Sequence, residues 1–161
     1  MPFGFFIIMA AQFFSALADN ALLIVAIAAL REMQAPAAYE PLLKTFFTVS
    51  YVALAAFVGA FADSMPKWRV MFISNAIKVI GCAMMFFGAH PLIAYAVVGL
   101  GAAAYSPAKY GILTEYLPHR LLVVANGWIE GLTVGAIILG VVIGGTLIQP
   151  NIAHKLLDFD L

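Results

Sequence analysis

Apolar residues run almost unbroken through five stretches of the chain, 3–30, 42–62, 70–87, 92–105 and 123–148, and polar residues gather in the short links between them. The hydrocarbon core of a bilayer, roughly 30 Å thick, takes about 20 residues of apolar helix to cross. The stretches therefore predict five membrane-spanning helices, with ends placed to within about two to four residues. The fourth is short for a span. At its end, Ser106-Pro107 either kinks a longer helix or opens a new one with Ser as N-cap and Pro in the first turn, and the sequence leaves both open.

The links "REMQAPAAYEP", "DSMPKWR", "GAHP" and "YLPHR" leave no room for a domain outside the membrane. Beyond 148, "QPNIAHKLLDFDL" is a polar break followed by a segment too short to span. The expectation is a partial bundle over 1–148 and a polar tail over 149–161 where a longer protein is cut, its His154, Lys155, Asp158 and Asp160 being solvated.

Hydrophobic residues make up 65% of the sequence and charged residues 10%. Soluble domains carry about one-quarter charged residues, so the fold class is an all-α membrane protein. Eight basic and eight acidic residues cancel, which gives no pull on nucleic acid. Cys82 is the single cysteine and excludes an intrachain disulfide. His and Cys show no metal-ligand spacing, and no nucleophile elbow or phosphate loop is present; the expectation is a non-enzyme without metal or cofactor. Lys67, Arg69 and Arg120 fall on the side of the N-terminus, and Arg31, Lys44 and Lys155 on the other. The compact Lys67/Arg69 loop, set against a "GAHP" link with no Lys or Arg, predicts a cytoplasmic N-terminus. Trp68 and Trp128 lie near predicted span ends, where indoles settle at headgroup level.

Polar residues inside the spans carry the candidate chemistry. Gln12, Ser15 and Asp19 are three and four residues apart, so they form one stripe along the first helix, with Asp19 about 24 Å from Phe3 by helical rise. A carboxylate facing lipid at that depth is costly, so Asp19, with Asn20 beside it, should face other helices or a wet cavity. Ala16-Leu17-Ala18 also has the small-x-small form of a signal-peptidase site. No Lys or Arg precedes it, however, and the apolar run resumes at once, which argues against cleavage. Asn75 and Lys78 share a face of the third helix, Asn126, Glu130 and Thr133 share one of the fifth, and Lys109 stands in "SPAKYG" after the fourth run. Two acids and two bases among five helices can pair, either to lock the bundle or to line a cavity; the favoured expectation is a polar substrate pathway between the Asp19 and Glu130 stripes. Gly127, Gly131 and Gly135, then Gly140 and Gly144, recur every four residues and predict close approach of a neighbouring helix.

Gly59 and Asp63, followed by Lys67 and Arg69 in "GAFADSMPKWR", resemble the signature between the second and third helices of the major facilitator superfamily, apart from Ser64 and Pro66, where a basic residue and a glycine are usual. The resemblance implies a conformational latch in which Asp63 holds a basic residue and faces a helix N-terminus of the other half of the transporter. "AQFFSALADNALL", "ADSMPKWRVMFISNAIKVIG" and above all "GAAAYSPAKYGILTE" are similar to the lysophospholipid transporters of Gram-negative bacteria and to the transporter domains fused to acylglycerophosphoethanolamine acyltransferases. That resemblance implies a flippase moving lysophosphatidylethanolamine-type lipids from the outer to the inner leaflet of the inner membrane for re-acylation. It also implies the N-terminal portion of a twelve-helix fold, lacking its C-terminal half, and a functional link to an acyltransferase. It points to Asp19, Asn20, Asp63, Lys67, Arg69 and Lys109, with Asp19 receiving an ammonium and a lysine the phosphate. Two alternatives remain. "GVVIGG" keeps the glycines of the superfamily's antiporter signature but has Val141 in place of proline, which weakens a drug/proton antiporter. A non-transporting assembly subunit would use the same charges only to fix helix pairing.

Overall fold

The computed structural model describes residues 3–149, with positions 55 and 56 described by backbone alone. Five helices follow one another: α1 (Phe3–Glu32), α2 (Tyr39–Asp63), α3 (Lys67–Phe86), α4 (Pro91–Tyr116) and α5 (His119–Leu147). Four of them are long and apolar enough to cross a membrane, and α2 becomes the fifth when its two limbs, Tyr39–Leu54 and Phe57–Asp63, bent by 63°, count as one span. The expected tail over 149–161 lies outside the described residues from position 150 onward, as does Lys155.

Local chemistry sets the ends. Pro91 opens α4, where its missing N–H is no loss, and His90 caps the turn by accepting the Leu92 N–H at Nδ1, 3.3 Å away. Gly88, at φ +84°, supplies the left-handed step after α3 that a side chain resists. Pro118 precedes α5, which begins at His119, four residues ahead of the apolar run itself.

The question left at Ser106-Pro107 resolves as one long helix. α4 continues through Pro107 to Tyr116, which places Lys109 on the fourth span itself and not after it. Proline removes one backbone donor but leaves the rest of the ladder, and neighbouring helices brace a span of this kind. Here the braces are α2 and α3, both packed along α4, while α1 packs along α5.

Small residues let these axes close up. A Cβ at Gly101 would lie 2.6 Å from the Ser74 carbonyl oxygen, and one at Gly99 would lie 2.9 Å from that of Phe47. On α5, a Cβ at Gly140 would come within 2.6 Å of the Leu17 oxygen, and one at Gly144 within 2.8 Å of the Ala21 oxygen. The expected packing groove does not extend to Gly127, Gly131 and Gly135, where an added Cβ meets nothing within 4 Å. The cause is helical phase. The five-residue step from Gly135 to Gly140 turns the helix by about 140°, so the two glycine series face nearly opposite ways.

Two apolar clusters close the ends of the bundle. Phe5, Ile8, Leu113, Leu117 and Ile129 join α1, α4 and α5 at one end. Leu23, Leu30, Leu43, Leu92, Tyr95 and Val98 join α1, α2 and α4 at the other. Large side chains such as Phe14, Val52, Phe72, Val79 and Val123 point outward, as lipid-facing surfaces require. The polar residues of the spans collect between the clusters.

Candidate functional site

A cavity of about 450 Å³ lies in that middle layer. From α1 it takes Gln12, Ser15, Asp19 and Asn20, the stripe that three- and four-residue spacing puts on one face. Lys78 enters from α3, and Thr133 from α5.

The charges of α1 and α3 are joined. Lys78, 8% exposed, donates from Nζ to Asp19 Oδ2 at 2.6 Å and to Ser15 Oγ at 2.8 Å. Ser15 in turn donates to Asn75 Oδ1 at 3.0 Å, so Asn75 and Lys78 of α3 are tied to the same turn of α1. Pairing is what makes two ionised groups tolerable at this depth, since either alone would sit uncompensated in a medium of low dielectric constant. The Tyr105 ring lies 5.2 Å from the same ammonium, and its hydroxyl is buried without a partner among the described residues. Gln12 Nε2 donates to Thr133 Oγ1 at 2.9 Å and links α1 to α5 across the cavity. Behind the ion pair is a second cavity of about 340 Å³, lined by Ala11, Phe14, Ala18 and Cys82, which shares Ser15, Asp19 and Lys78 as its wall with the first.

Not every charged residue expected in the pathway meets there. Lys109 lines the cavity, 8% exposed, with its Nζ 4.5 Å from the Tyr110 ring centroid. No carboxylate lies within ion-pair distance of it among the described residues. Asn20 lines the cavity too, but its amide donates back to the Ala16 carbonyl at 2.8 Å. Glu130 and Asn126 are exposed and do not line it; Glu130 accepts the Tyr110 hydroxyl at 2.6 Å. Glu130 is rotated by about 60° from Thr133, which carries it off the α1-facing side of α5 toward α4.

Sequence spacing also held a stripe that was not singled out. Lys44, Thr48 and Tyr51 all line the cavity from α2 at intervals of four and three, and Tyr95, Tyr105 and Ser106 line it from α4. Lys44 had counted only as a loop charge, although it stands on the second turn of α2.

The second cluster lies at the turn between α2 and α3. Lys67 Nζ is 2.6 Å from Asp63 Oδ1 and 2.9 Å from the Ala62 carbonyl oxygen, so one ammonium neutralises the carboxylate and caps the negative end of α2. Its stem runs over α4, where a Cβ at Gly111 would lie 3.1 Å from Lys67 Cε. Arg69 stacks on Trp68, with its guanidinium 5.1 Å from the indole centroid. Ser64 donates to the Phe61 carbonyl at 2.7 Å, and Gly59 has open space around it.

The family profile described as Major Facilitator Superfamily matches residues 8–151. The chain belongs to the major facilitator superfamily. The superfamily match takes in every residue of the cavity and of the Asp63–Lys67 turn. Among relatives, the chain is 48% identical over 144 residues to the lysophospholipid transporter LplT of Yersinia enterocolitica, covering 89% of this chain and 36% of that protein. It is 44% identical over 154 residues to LplT of Klebsiella pneumoniae, covering 96% of this chain and 39% of that one. With LplT of Yersinia pestis the figures are 47% over 140 residues, 87% and 34%. The chain thus spans less than two fifths of the length of these superfamily relatives. No solved structure matches it.

Proposed function

We propose that the chain is part of a lysophospholipid transporter that moves lysophosphatidylethanolamine-type lipids from the outer to the inner leaflet of a bacterial inner membrane, where they are re-acylated. The observation that carries the reading is the cavity itself. Three lysines and a carboxylate line one chamber inside a bundle whose outer surface is apolar. A phosphate needs a cation along its path, and a single acyl chain needs only lipid or an apolar groove. Lys109 is the natural phosphate partner, because it lines the chamber with no carboxylate paired to it among the described residues. Asp19 is engaged by Lys78, so an incoming ammonium would reach it by displacing that lysine. The names borne by the relatives support the substrate class.

In this reading the N-terminus is cytoplasmic, and the partner surface is the remaining length of a two-halved transporter. Gly59, Asp63, Lys67 and Arg69 form the latch that closes one face of the cavity. An acyltransferase consumes the delivered lipid. The chain does no bond chemistry of its own.

Spheroplasts making the natural full-length gene product, in a strain without its own lysolipid uptake, test this directly. Labelled lysophosphatidylethanolamine should enter the inner leaflet, and Asp19→Asn and Lys109→Ala should each slow entry at unchanged protein level. Entry at the original rate in both variants overturns the assignment. Entry that stops when the proton gradient is collapsed favours the antiporter alternative instead.

A further inference from the structure

The ammonium of Lys78 stands in a shell of acceptors. Asp19 Oδ2 takes one of its protons at 2.6 Å and Ser15 Oγ a second at 2.8 Å, while the Tyr105 ring lies 5.2 Å away, within the distance at which an aromatic face attracts a cation. A serine hydroxyl can offer either its proton or a lone pair to a neighbour. Here the proton is turned away to Asn75 Oδ1 at 3.0 Å, which leaves the lone pair for the ammonium. Asn75 therefore orients Ser15, and oxygens of Ser15, Asp19 and Asn75 gather at one positive charge.

Helix spacing builds this shell independently of the lysine. Ser15 and Asp19 are four residues apart on α1, so they stand one above the other on the same face. α1 and α3 otherwise touch little, and the cavities of about 450 and 340 Å³ between their neighbours share Ser15, Asp19 and Lys78 as a wall. The lysine stem reaches the shell across a smooth bed on α4, where a Cβ at Gly101 would lie 2.8 Å from Lys78 Cγ. Oxygen donors with a carboxylate among them are also what a hard metal cation requires, and cavities of this size have room for the waters that complete its coordination.

We infer that Ser15, Asp19 and Asn75 form a monovalent-cation site whose occupant is covalently tethered: the Lys78 ammonium fills it, and with that side chain cut back the same oxygens take a sodium ion. One positive charge balances the one carboxylate, whereas a divalent ion would leave an uncompensated charge at a depth where charge is costly. Tethering keeps the cation from being lost to solvent, so the wall between the two cavities holds at any sodium concentration. The inference concerns that wall and stands whatever cargo the chamber carries.

The test is thermal unfolding of the natural full-length gene product in detergent, in sodium chloride and in N-methylglucamine chloride at equal ionic strength, so that screening is the same in both. N-methylglucamine is too large for the shell. The natural protein should unfold at the same temperature in the two salts. Lys78→Ala should unfold earlier than the natural protein in N-methylglucamine and gain about 3–10 °C in sodium, the shift expected of a site at about ten to a hundred times its dissociation constant. Adding Asp19→Asn to Lys78→Ala should abolish the gain. Lys78→Ser leaves a hydroxyl oxygen in the vacated space, should respond as the alanine variant does, and serves in its place if the alanine variant cannot be isolated. Variants indifferent to sodium, a gain that survives Asp19→Asn, a natural protein that gains as much as Lys78→Ala, or failure to isolate either variant in sodium would each overturn the inference. Lysolipid entry is read separately in the spheroplasts, so the two readings fail independently.

Discussion

Lys78 and Asp19 meet at 2.6 Å in the interior of the bundle, from helices that otherwise touch little, and the contact closes the wall between two cavities. The pair is therefore both a brace and part of the chamber lining. Replacing one partner leaves the other as an unbalanced buried charge, a change that costs about 3–5 kcal/mol in protein interiors. Asp19→Asn should lower the stability of the detergent-solubilised protein by that order, read from helical ellipticity during unfolding in SDS. The double variant Asp19→Asn with Lys78→Gln should be more stable than Asp19→Asn alone, since no charge is then left unpaired.

The contact of α5 with α1 should respond to glycine replacement on one face only. Gly140→Leu forces a side chain into the Leu17 backbone and should destabilise by about 1–3 kcal/mol. Gly131→Leu points into open space among the described residues and should cost nothing comparable. Similar losses at both positions in the SDS unfolding assay would contradict the phase relation between the two glycine series.

Gln12 and Thr133 form the polar tie between α1 and α5 inside the chamber. Thr133→Val keeps the shape and removes the acceptor, which should cost about 0.6 kcal/mol, the average for hydrogen bonds between membrane helices, and no more than about 1.7 kcal/mol. The same unfolding measurement reads it, and Gln12→Leu combined with Thr133→Val should recover part of the loss by removing the stranded amide.

Lys67 should be guarded by the smallness of Gly111. Its side chain is 13% exposed and rests on that glycine. Gly111→Val should displace the stem, weaken the bonds to Asp63 and to the Ala62 carbonyl, and raise the rate at which an amine-reactive reagent modifies Lys67, read by peptide mass analysis. An unchanged rate would show that the stem has room elsewhere.

Much of this arrangement was legible from spacing. Five apolar runs gave five helices, and the three- and four-residue intervals of Gln12, Ser15 and Asp19 fixed which face of α1 would be polar. What spacing could not supply was the angle between one helix and the next. Glu130 and Asp19 are alike as carboxylates inside spans, yet one lines the chamber and the other turns toward Tyr110, because a rotation of about 60° on α5 decides it. Lys44 was overlooked for another reason. Charges near the ends of spans are ordinarily weighed as orientation signals, and only its register with Thr48 and Tyr51 marks it as part of a lining. The reach of α4 through Pro107 depended on flanking helices that no local pattern contains.

Lys67 rests on Gly111, and Gly111 stands two residues after Lys109 on the same helix. The α2–α3 turn and the Lys109 amine in the chamber wall are thus mounted on one rod. Any shift of α4 about or along its axis would therefore move the shelf beneath Lys67 and the Lys109 amine together, a mechanical linkage that requires no chain of contacts between the two.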